Sequence, residues 1–319
     1  SHLSGQSPHP VRLVSEREPA KVRRRVEEVA RKARISLCMI VRNEERVLGA
    51  CLESVRRVFW QTVVVDTGST DATVEIAESF GAEVHRMEWP NSFAKARNES
   101  LRHARGDWIF WMDADDTLPL VAAERIVEAA STAPPDVIAF VVPVQFVEEG
   151  RPDGTRVDHV KLFRNLPGVE FEGRIHEQVL PSLRKAGGTI RRLDAHVVHS
   201  GYDVSPEGQA RKRERDWKLL ELDLADRPEH PFVLFNFGMT AHFTGAHEEA
   251  IGWLRRSIAA ASPDESHVRK AYALLSTSLR ETQGPEAAAA AAREGLAIVG
   301  PDPELSFILG VALTMMGEY

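Results

Sequence analysis

The stretch FWMDADD (110–116) ends a strongly apolar run on three carboxylates. Asp113 and Asp115 stand two residues apart, and Asp116, which follows directly, could orient a ligand or contact sugar hydroxyls. Hard oxygen donors suit a divalent ion, which takes one or two carboxylates from a protein when it also bridges a diphosphate. A solvated turn or the cap of a following helix would use the same residue types, so an acidic pair after a strand does not decide between them. A second run, VVVDTGSTD (63–71), also passes from apolar residues to an acid. Asp66 could accept hydrogen bonds from a nucleobase or ribose. Gly68 relieves the turn, Ser69 and Thr70 open a helix, and Asp71 suits its first-turn charge. The chain has no glycine-rich loop with a phosphate-binding lysine, and no GxGxxG after its first apolar run. Phosphoryl transfer from ATP or GTP and dinucleotide binding are therefore disfavoured.

Elements that must position these acids follow from periodicity. ISLCMIV (35–41) is nearly continuous in apolar residues, as in a strand buried on both faces. In RNEERVLGACLESVRRV (42–58), Leu48, Leu52 and Val55 recur on one helix face, with Asn43 as a cap and Glu44 and Glu45 in the first turn. QTVVVD (61–66), AEVHRM (82–87) and DWIFWMD (107–113) read as strands. TGSTDATVEIAESFG (67–81) and NSFAKARNESLRHARG (91–106) supply helices. This β-α alternation predicts a mostly parallel sheet with helices on both faces. Ligands of such sheets bind beyond the carboxyl ends of the strands, where Asp66 and Asp113 both fall. Further on, a short helix is expected over 119–131, a strand over 136–149, a turn at RPDGTR (151–156) and an antiparallel return strand over 157–165.

Composition fits an ordinary soluble protein, at 43% apolar and 27% charged residues. The net charge of -7 argues against a dedicated nucleic-acid binder, which needs a basic footprint. Cys38 and Cys51 lie in apolar or helical patterns and read as reduced core residues. No apolar stretch is long enough for a membrane span, and no signal peptide is recognised, so a cytoplasmic location is expected, with peripheral contact at the inner face of the membrane still open. Residues 1–34 form an N-terminal segment with a solvated helix, and 206–230 a linking helix. From 231 to 319 helical patterns recur: FNFG (235–238) and Gly245 are echoed by FILG (307–310) and Gly317, 72 residues later, or two periods of 36. Paired helices near that period resemble tetratricopeptide repeats. The pattern stops inside a third copy, so the natural chain is expected to continue past Tyr319.

Together ISLCMIVRNEE (35–45), VVVDTGSTDAT (63–73) and AKARNESLRHARGDWIFWMDADD (94–116) resemble the nucleotide-binding half of the family 2 glycosyltransferases, of the GT-A fold. The resemblance covers most of 35–116 in order and spacing. It implies a GT-A domain over 35–205 with a nucleotide half (35–116) and an acceptor half (117–205). It also implies an inverting transferase that uses a nucleoside-diphosphate sugar, with Mn²⁺ or Mg²⁺ on the diphosphate. Uridine diphosphate sugars are slightly favoured over guanosine or deoxythymidine donors. By the same resemblance Val41, Asn43, Glu44 and Asp66 hold the nucleoside and Arg97 lies near the nucleotide. The motif Asp113-Ala114-Asp115 holds the metal and diphosphate.

The second half resembles a branch that includes lipopolysaccharide-core glucosyltransferases and peptide glycosyltransferases. In FEGRIHEQV (171–179) Glu177 is the first choice for a base that takes the acceptor proton, with His176 as rival and Asp194 further off. A core-edge ion pair of Glu177 with Arg174 is the structural alternative. His199, after a strand, is a candidate third metal ligand, and a spacing of three turns His196 to the other face. Lys161 and Arg164 could meet phosphates or line a solvated strand face. Trp89 and Trp111 suit core roles better than sugar platforms. The acceptor is open among a glycan, a lipid-linked glycan, a peptide and a natural product. The repeats offer a site for a protein partner or self-association. A weak nucleotide-sugar binder that recruits partners through the repeats is the alternative to an enzyme.

Overall fold

The computed structural model describes residues 34–148, 151–201 and 205–317, together with residues 22, 26, 28, 29 and 33. The chain forms two compact units, Ser1–Glu172 with Glu177–Val204 and Gly173–His176 with Ser205–Tyr319.

In the first unit the apolar run becomes β1 (Ile35–Val41), with all but one of its residues buried. Strands β2 (Gln61–Asp66) and β4 (Trp108–Trp111) flank it in parallel, and β3 (Glu83–Arg86) lies parallel to β2. One sheet face is covered by α1 (Leu48–Ser54) and α4 (Leu120–Thr132), through Cys51, Leu52, Ala123 and Ile126. The other face carries α3 (Phe93–His103), through Ala94, and packs Cys38, Ile109 and Trp111 with Phe163 and Phe171. Helix α2 (Thr73–Ser79) follows β2. Both cysteines are buried and free.

The parallel expectation holds for these four strands, and beyond them the sheet becomes mixed, with the antiparallel return strand expected over 157–165 in place. A short β5 (Asp116–Thr117) leads into α4, then β6 (Val137–Glu148) and β7 (Arg151–Arg164) form a long hairpin. Because the hairpin reverses the chain, β7 pairs antiparallel with β4. After α5 (Leu180–Ala186), β8 (Thr189–Arg192) and β9 (Val197–His199) both run parallel to β6, and β9 pairs antiparallel with β5. The result is a mixed sheet in the order β3-β2-β1-β4-β7-β6-β9-β5, with β8 beside β6. The turn expected over 151–156 is strand instead, since Arg151 already pairs with Glu148 and the ladder runs out past the Asp-Gly signal. The expected N-terminal helix lies mostly outside the described residues. Val26 and Ala33 belong to the sheet core, so this part is not simply solvated.

The second unit is helical and repeat-like: α6 (Pro206–Asp226), α7 (Pro231–Phe243), α8 (His247–Ala260), α9 (Val268–Gln283), α10 (Pro285–Val299) and α11 (Pro303–Met316). Each packs on the next from α6 to α11, and α9 also touches α7 and α11. No described helix is long and apolar enough to cross a membrane.

Two glycines at the same repeat position have different surroundings. A Cβ on Gly238 would lie 2.6 Å from Leu254 Cγ, whereas one on Gly310 would meet nothing within 4 Å. Gly238→Ala should therefore lower stability, because overpacking costs about 1–3 kcal/mol and the helix-propensity gain is only about 1 kcal/mol. Gly310→Ala should be neutral or stabilising by up to about 1 kcal/mol. Urea denaturation of the two variants distinguishes them; an equal loss in both would mean that the Leu254 contact does not set the cost.

Candidate active site

The loops after β1 and β2 are stitched together by side chains. Asp66 accepts hydrogen bonds from the backbone N–H groups of Gly68 and Ser69, at 3.3 and 3.2 Å. This closes a turn that needs Gly68 at φ 106°. Asn43, itself at φ 55°, accepts from the Thr70 N–H at 2.8 Å and donates its own N–H to Ser69 Oγ at 2.9 Å. The Glu44 N–H donates to Thr73 Oγ1, and the Val41 carbonyl accepts from the Thr67 N–H. Asn43 is therefore not the expected helix cap: α1 starts only at Leu48, and Asn43 reaches across to the neighbouring loop. Val41, Asn43, Glu44 and Asp66 are thus brought together at the carboxyl ends of two parallel strands. Asp71 binds the Thr73 N–H and hydroxyl, a turn-closing role.

Beyond β4 the three acids separate into different environments. Asp113 is half-exposed and its Oδ1 accepts from Arg97 Nη2 at 2.7 Å. Ala114 is buried. Asp115 lies 3.4 Å from His199 Nδ1, and its carbonyl accepts from the N–H and hydroxyl of Ser200. Asp116 is fully buried: Oδ2 accepts from Lys161 Nζ at 2.9 Å and from the Asp113 N–H at 3.0 Å, and Oδ1 lies 2.9 Å from His199 Nδ1. One ligand atom each from Asp113, Asp116 and His199 falls within 4.8 Å of the others.

Electrostatics follow the packing. Burial raises the Asp113 carboxyl, but the charges of Arg97 and Lys161 overcome it and hold the group well below the usual range. Asp116 is lowered in the same way, with burial outweighed by Lys161 and the His199 hydrogen bond. Asp115 is raised, by burial and by its acidic neighbours, against the pull of His199. His199 is raised: burial opposes its charge, but the hydrogen bond to Asp116 and the nearby acids prevail.

Arg97 is buried and joins the two halves of the domain. Its Nε donates to Glu177 Oε1 at 2.5 Å, and its guanidinium carbon lies 4.2 Å from the centre of the Trp111 ring. Glu177 therefore pairs with Arg97 rather than Arg174, which pairs with Asp226 at 2.7 Å. Reciprocal backbone bonds between Glu172 and Gln178, each 2.9 Å, fix the turn that presents Glu177. His176 is exposed, at φ 53°, and belongs with the helical unit. Asp194 is exposed and bound to Arg125. Arg164 donates to the carbonyls of Val137, Ala133 and Pro134, so it is a structural residue and not a solvated one. Trp89 meets Phe93 edge-on.

His159 is the site neighbour that sequence reasoning missed, and Lys161 meets Asp116 where a phosphate or a solvated face was expected, while Trp111 is a core residue as expected. The available signal was the alternation in DHVKLF (158–163), which puts His159 and Lys161 on one face of β7. Lys161 is 1% exposed and its Nζ lies 3.8 Å from the Trp111 ring centre. Burial, then the Lys161 cation, push the His159 imidazole down to about 4, against the pull of Asp113. His159 should consequently stay neutral from pH 8 to pH 5, which imidazole NMR can follow. The unfolded chain takes up this proton near pH 6.5 and the folded chain only near 4. Stability attributable to this residue should fall as pH drops between those values, by up to about 3 kcal/mol, and His159→Gln should flatten that slope. A midpoint near 6.5 in the folded protein would contradict this placement.

Residues 36–178 match the family model described as Glycosyl transferase family 2. The match lies almost wholly in the first unit and spans less than half of the chain. That unit's parallel β1–β4 layer and mixed outer strands form the GT-A-like part of the chain. The chain is 33% identical over 238 residues to a TPR repeat-containing protein of Synechococcus elongatus, covering 73% of this chain and 58% of that protein. It is 31% identical over 249 residues to the SPbeta prophage-derived glycosyltransferase SunS of Bacillus subtilis, covering 77% and 58%. A lipopolysaccharide core biosynthesis glycosyltransferase, LpsC of Rhizobium meliloti, is 28% identical over 162 residues, covering 46% and 57%. The chain thus spans less than two thirds of the length of these relatives.

Proposed function

We propose that this chain is an inverting, metal-dependent glycosyltransferase that moves a sugar from a nucleoside-diphosphate donor to an acceptor hydroxyl. The observation that carries the reading is the gathering of ligand atoms from Asp113 and His199 beyond β4, with the Asp115 carboxylate 3.4 Å from His199, beside the loops that hold Asp66 and Asn43. The donor set fits a divalent cation. Two carboxylates and an imidazole gather there, and the Asp113 carboxyl is held ionised. Asp113, Asp115 and His199 would hold Mn²⁺ or Mg²⁺. The ion would supply positive charge against the departing diphosphate. Val41, Asn43, Glu44 and Asp66 would hold the nucleoside, with uridine the favoured base.

Glu177 serves as the base. Its Oε1 is occupied by Arg97, which leaves Oε2 to take the acceptor proton. As that proton leaves, the acceptor oxygen bonds to the anomeric carbon. The bond from that carbon to the diphosphate oxygen breaks, the nucleoside diphosphate keeps the electron pair, and the configuration inverts. Arg97 ties the base to the acid at the metal position rather than meeting the nucleotide from solvent. The likeness to a lipopolysaccharide core biosynthesis glycosyltransferase supports a glycan among the expected acceptors, and the likeness to a TPR repeat-containing protein supports a tetratricopeptide-like role for α7–α11 in holding the acceptor or a partner. A cytoplasmic site of action, or one at the inner membrane face, fits such acceptors.

The test is a donor screen with uridine, guanosine and deoxythymidine diphosphate sugars, reading release of the nucleoside diphosphate with Mn²⁺, Mg²⁺ or EDTA. Release with a uridine donor that EDTA abolishes is the expected result. Neither release nor binding with any donor would reduce the protein to a scaffold.

A further inference from the structure

We propose that Lys161 and Asp116 form a buried relay that fixes the tautomer and aim of His199, so that Nε2 is the nitrogen it offers to a cation. The inference rests on the metal-dependent reading of the same site. It divides the three acids of the motif into two ligands and one orienting group.

Asp116 is the least accessible of the three, at 0% exposure. Oδ2 already accepts from Lys161 Nζ and the Asp113 N–H, and Oδ1 meets His199 Nδ1 at 2.9 Å. An ionised carboxylate only accepts hydrogen bonds, so a neutral His199 in this contact carries its proton on Nδ1 and its lone pair on Nε2. A carboxylate behind an imidazole is how metal sites orient a histidine ligand and raise its basicity. Backbone pairing fixes the contact, because Asp116 and His199 stand opposite each other in the β5–β9 ladder. The Phe146 ring, 5.0 Å from the His199 ring centre, packs edge to face with it and limits its rotation.

Lys161 completes the relay. A buried ammonium needs compensation, and this one is met by Asp116 and by the face of Trp111. Trp111 is itself anchored, its Nε1–H donating to the Val160 carbonyl at 2.8 Å. The lysine thereby engages Oδ2 while His199 meets Oδ1, so both carboxylate oxygens of Asp116 already have partners. Lys161 and Asp116 are positioning residues: neither needs to touch the cation or the substrate.

Asparagine at 116 gives a sharp test. Its amide NH₂ cannot face both Lys161 and the Asp113 N–H, which are donors, so it turns towards His199. The imidazole must then accept at Nδ1 and carry its proton on Nε2. We expect ¹⁵N NMR of the metal-free protein at pH 8.5 to show the Nδ1–H tautomer of His199 in the wild type and the Nε2–H tautomer in Asp116→Asn. Mn²⁺ affinity, read by electron paramagnetic resonance of the free ion, should fall about 10- to 100-fold in Asp116→Asn. Lys161→Met should fall in the same direction, and Lys161→Arg should restore much of the loss. If Lys161→Met does not fold, the wild type and Asp116→Asn still decide. An Nε2–H tautomer in wild-type protein that binds Mn²⁺, or unchanged affinity in Asp116→Asn, overturns the relay alone. A wild type with the Nδ1–H tautomer and no affinity for Mn²⁺ or Mg²⁺ overturns the metal-dependent reading, and the relay's purpose with it.

Discussion

Glu177→Gln should lower the rate of sugar transfer by about 10²–10⁴-fold, the usual contribution of a positioned general base. Donor and metal binding should persist. Glutamine keeps an oxygen for the Arg97 Nε–H, so the bond now at 2.5 Å can survive and the turn around Gly173–His176 is not forced open. What is lost is an oxygen able to take a proton. Steady-state transfer and nucleoside-diphosphate affinity, measured side by side, separate the two effects. A variant within about tenfold of the wild-type rate places the base elsewhere, and His176 is then the next residue to replace.

Arg97→Met should be strongly destabilising. Arg97 lies between Asp113 and Glu177, with its own side chain 6% exposed and that of Glu177 12% exposed. Methionine fills much of the volume above Trp111 but leaves two carboxylates near each other without their cation. Breaking a buried ion pair in this way costs about 3–5 kcal/mol. Asp113 is 38% exposed, so water screens part of the loss and the lower end of that range applies. In the wild type the stabilisation from Asp113 is present above the ordinary carboxylate range and is lost as pH falls through its depressed value. The deficit of Arg97→Met should therefore be largest near neutral pH and shrink in acid. Arg97→Lys, which keeps the charge but not the fork that spans both acids, should lie between the two. Chemical denaturation at pH 7 and pH 2 tests this, since the loss sets in only below the ordinary carboxylate pKa; an equal deficit at both would point to lost packing rather than lost charge.

Much of the architecture was legible because its signals are local. A continuous apolar run such as ISLCMIV specifies a doubly buried strand whatever surrounds it, and β1 is that strand. Runs that end on Asp66 and Asp113 placed both acids beyond strand ends, where the sheet presents them. Helix starts were less legible. Asn43 has the chemistry of a cap, yet a left-handed backbone and a partner 27 residues away drew it into a loop-to-loop contact. Among the outer strands the antiparallel return over 157–165 was legible, but not its pairing with β4, which depends on how the β6–β7 hairpin folds back on the sheet.

By itself the sequence determined the family resemblance, the β-α order, the acids at strand ends and the helical tail. Each of these depends on residue type and short spacing. Only the tertiary structure decided which charges meet. Arg97 and Glu177 lie 80 residues apart, and Asp116 and His199 lie 83 apart. No local pattern records such partners, because a buried charge is stabilised by whatever the fold brings within hydrogen-bonding distance. For that reason Asp116, which reads in sequence as a ligand-orienting acid or the polar cap of the next helix, turns out to be the most buried acid of its motif.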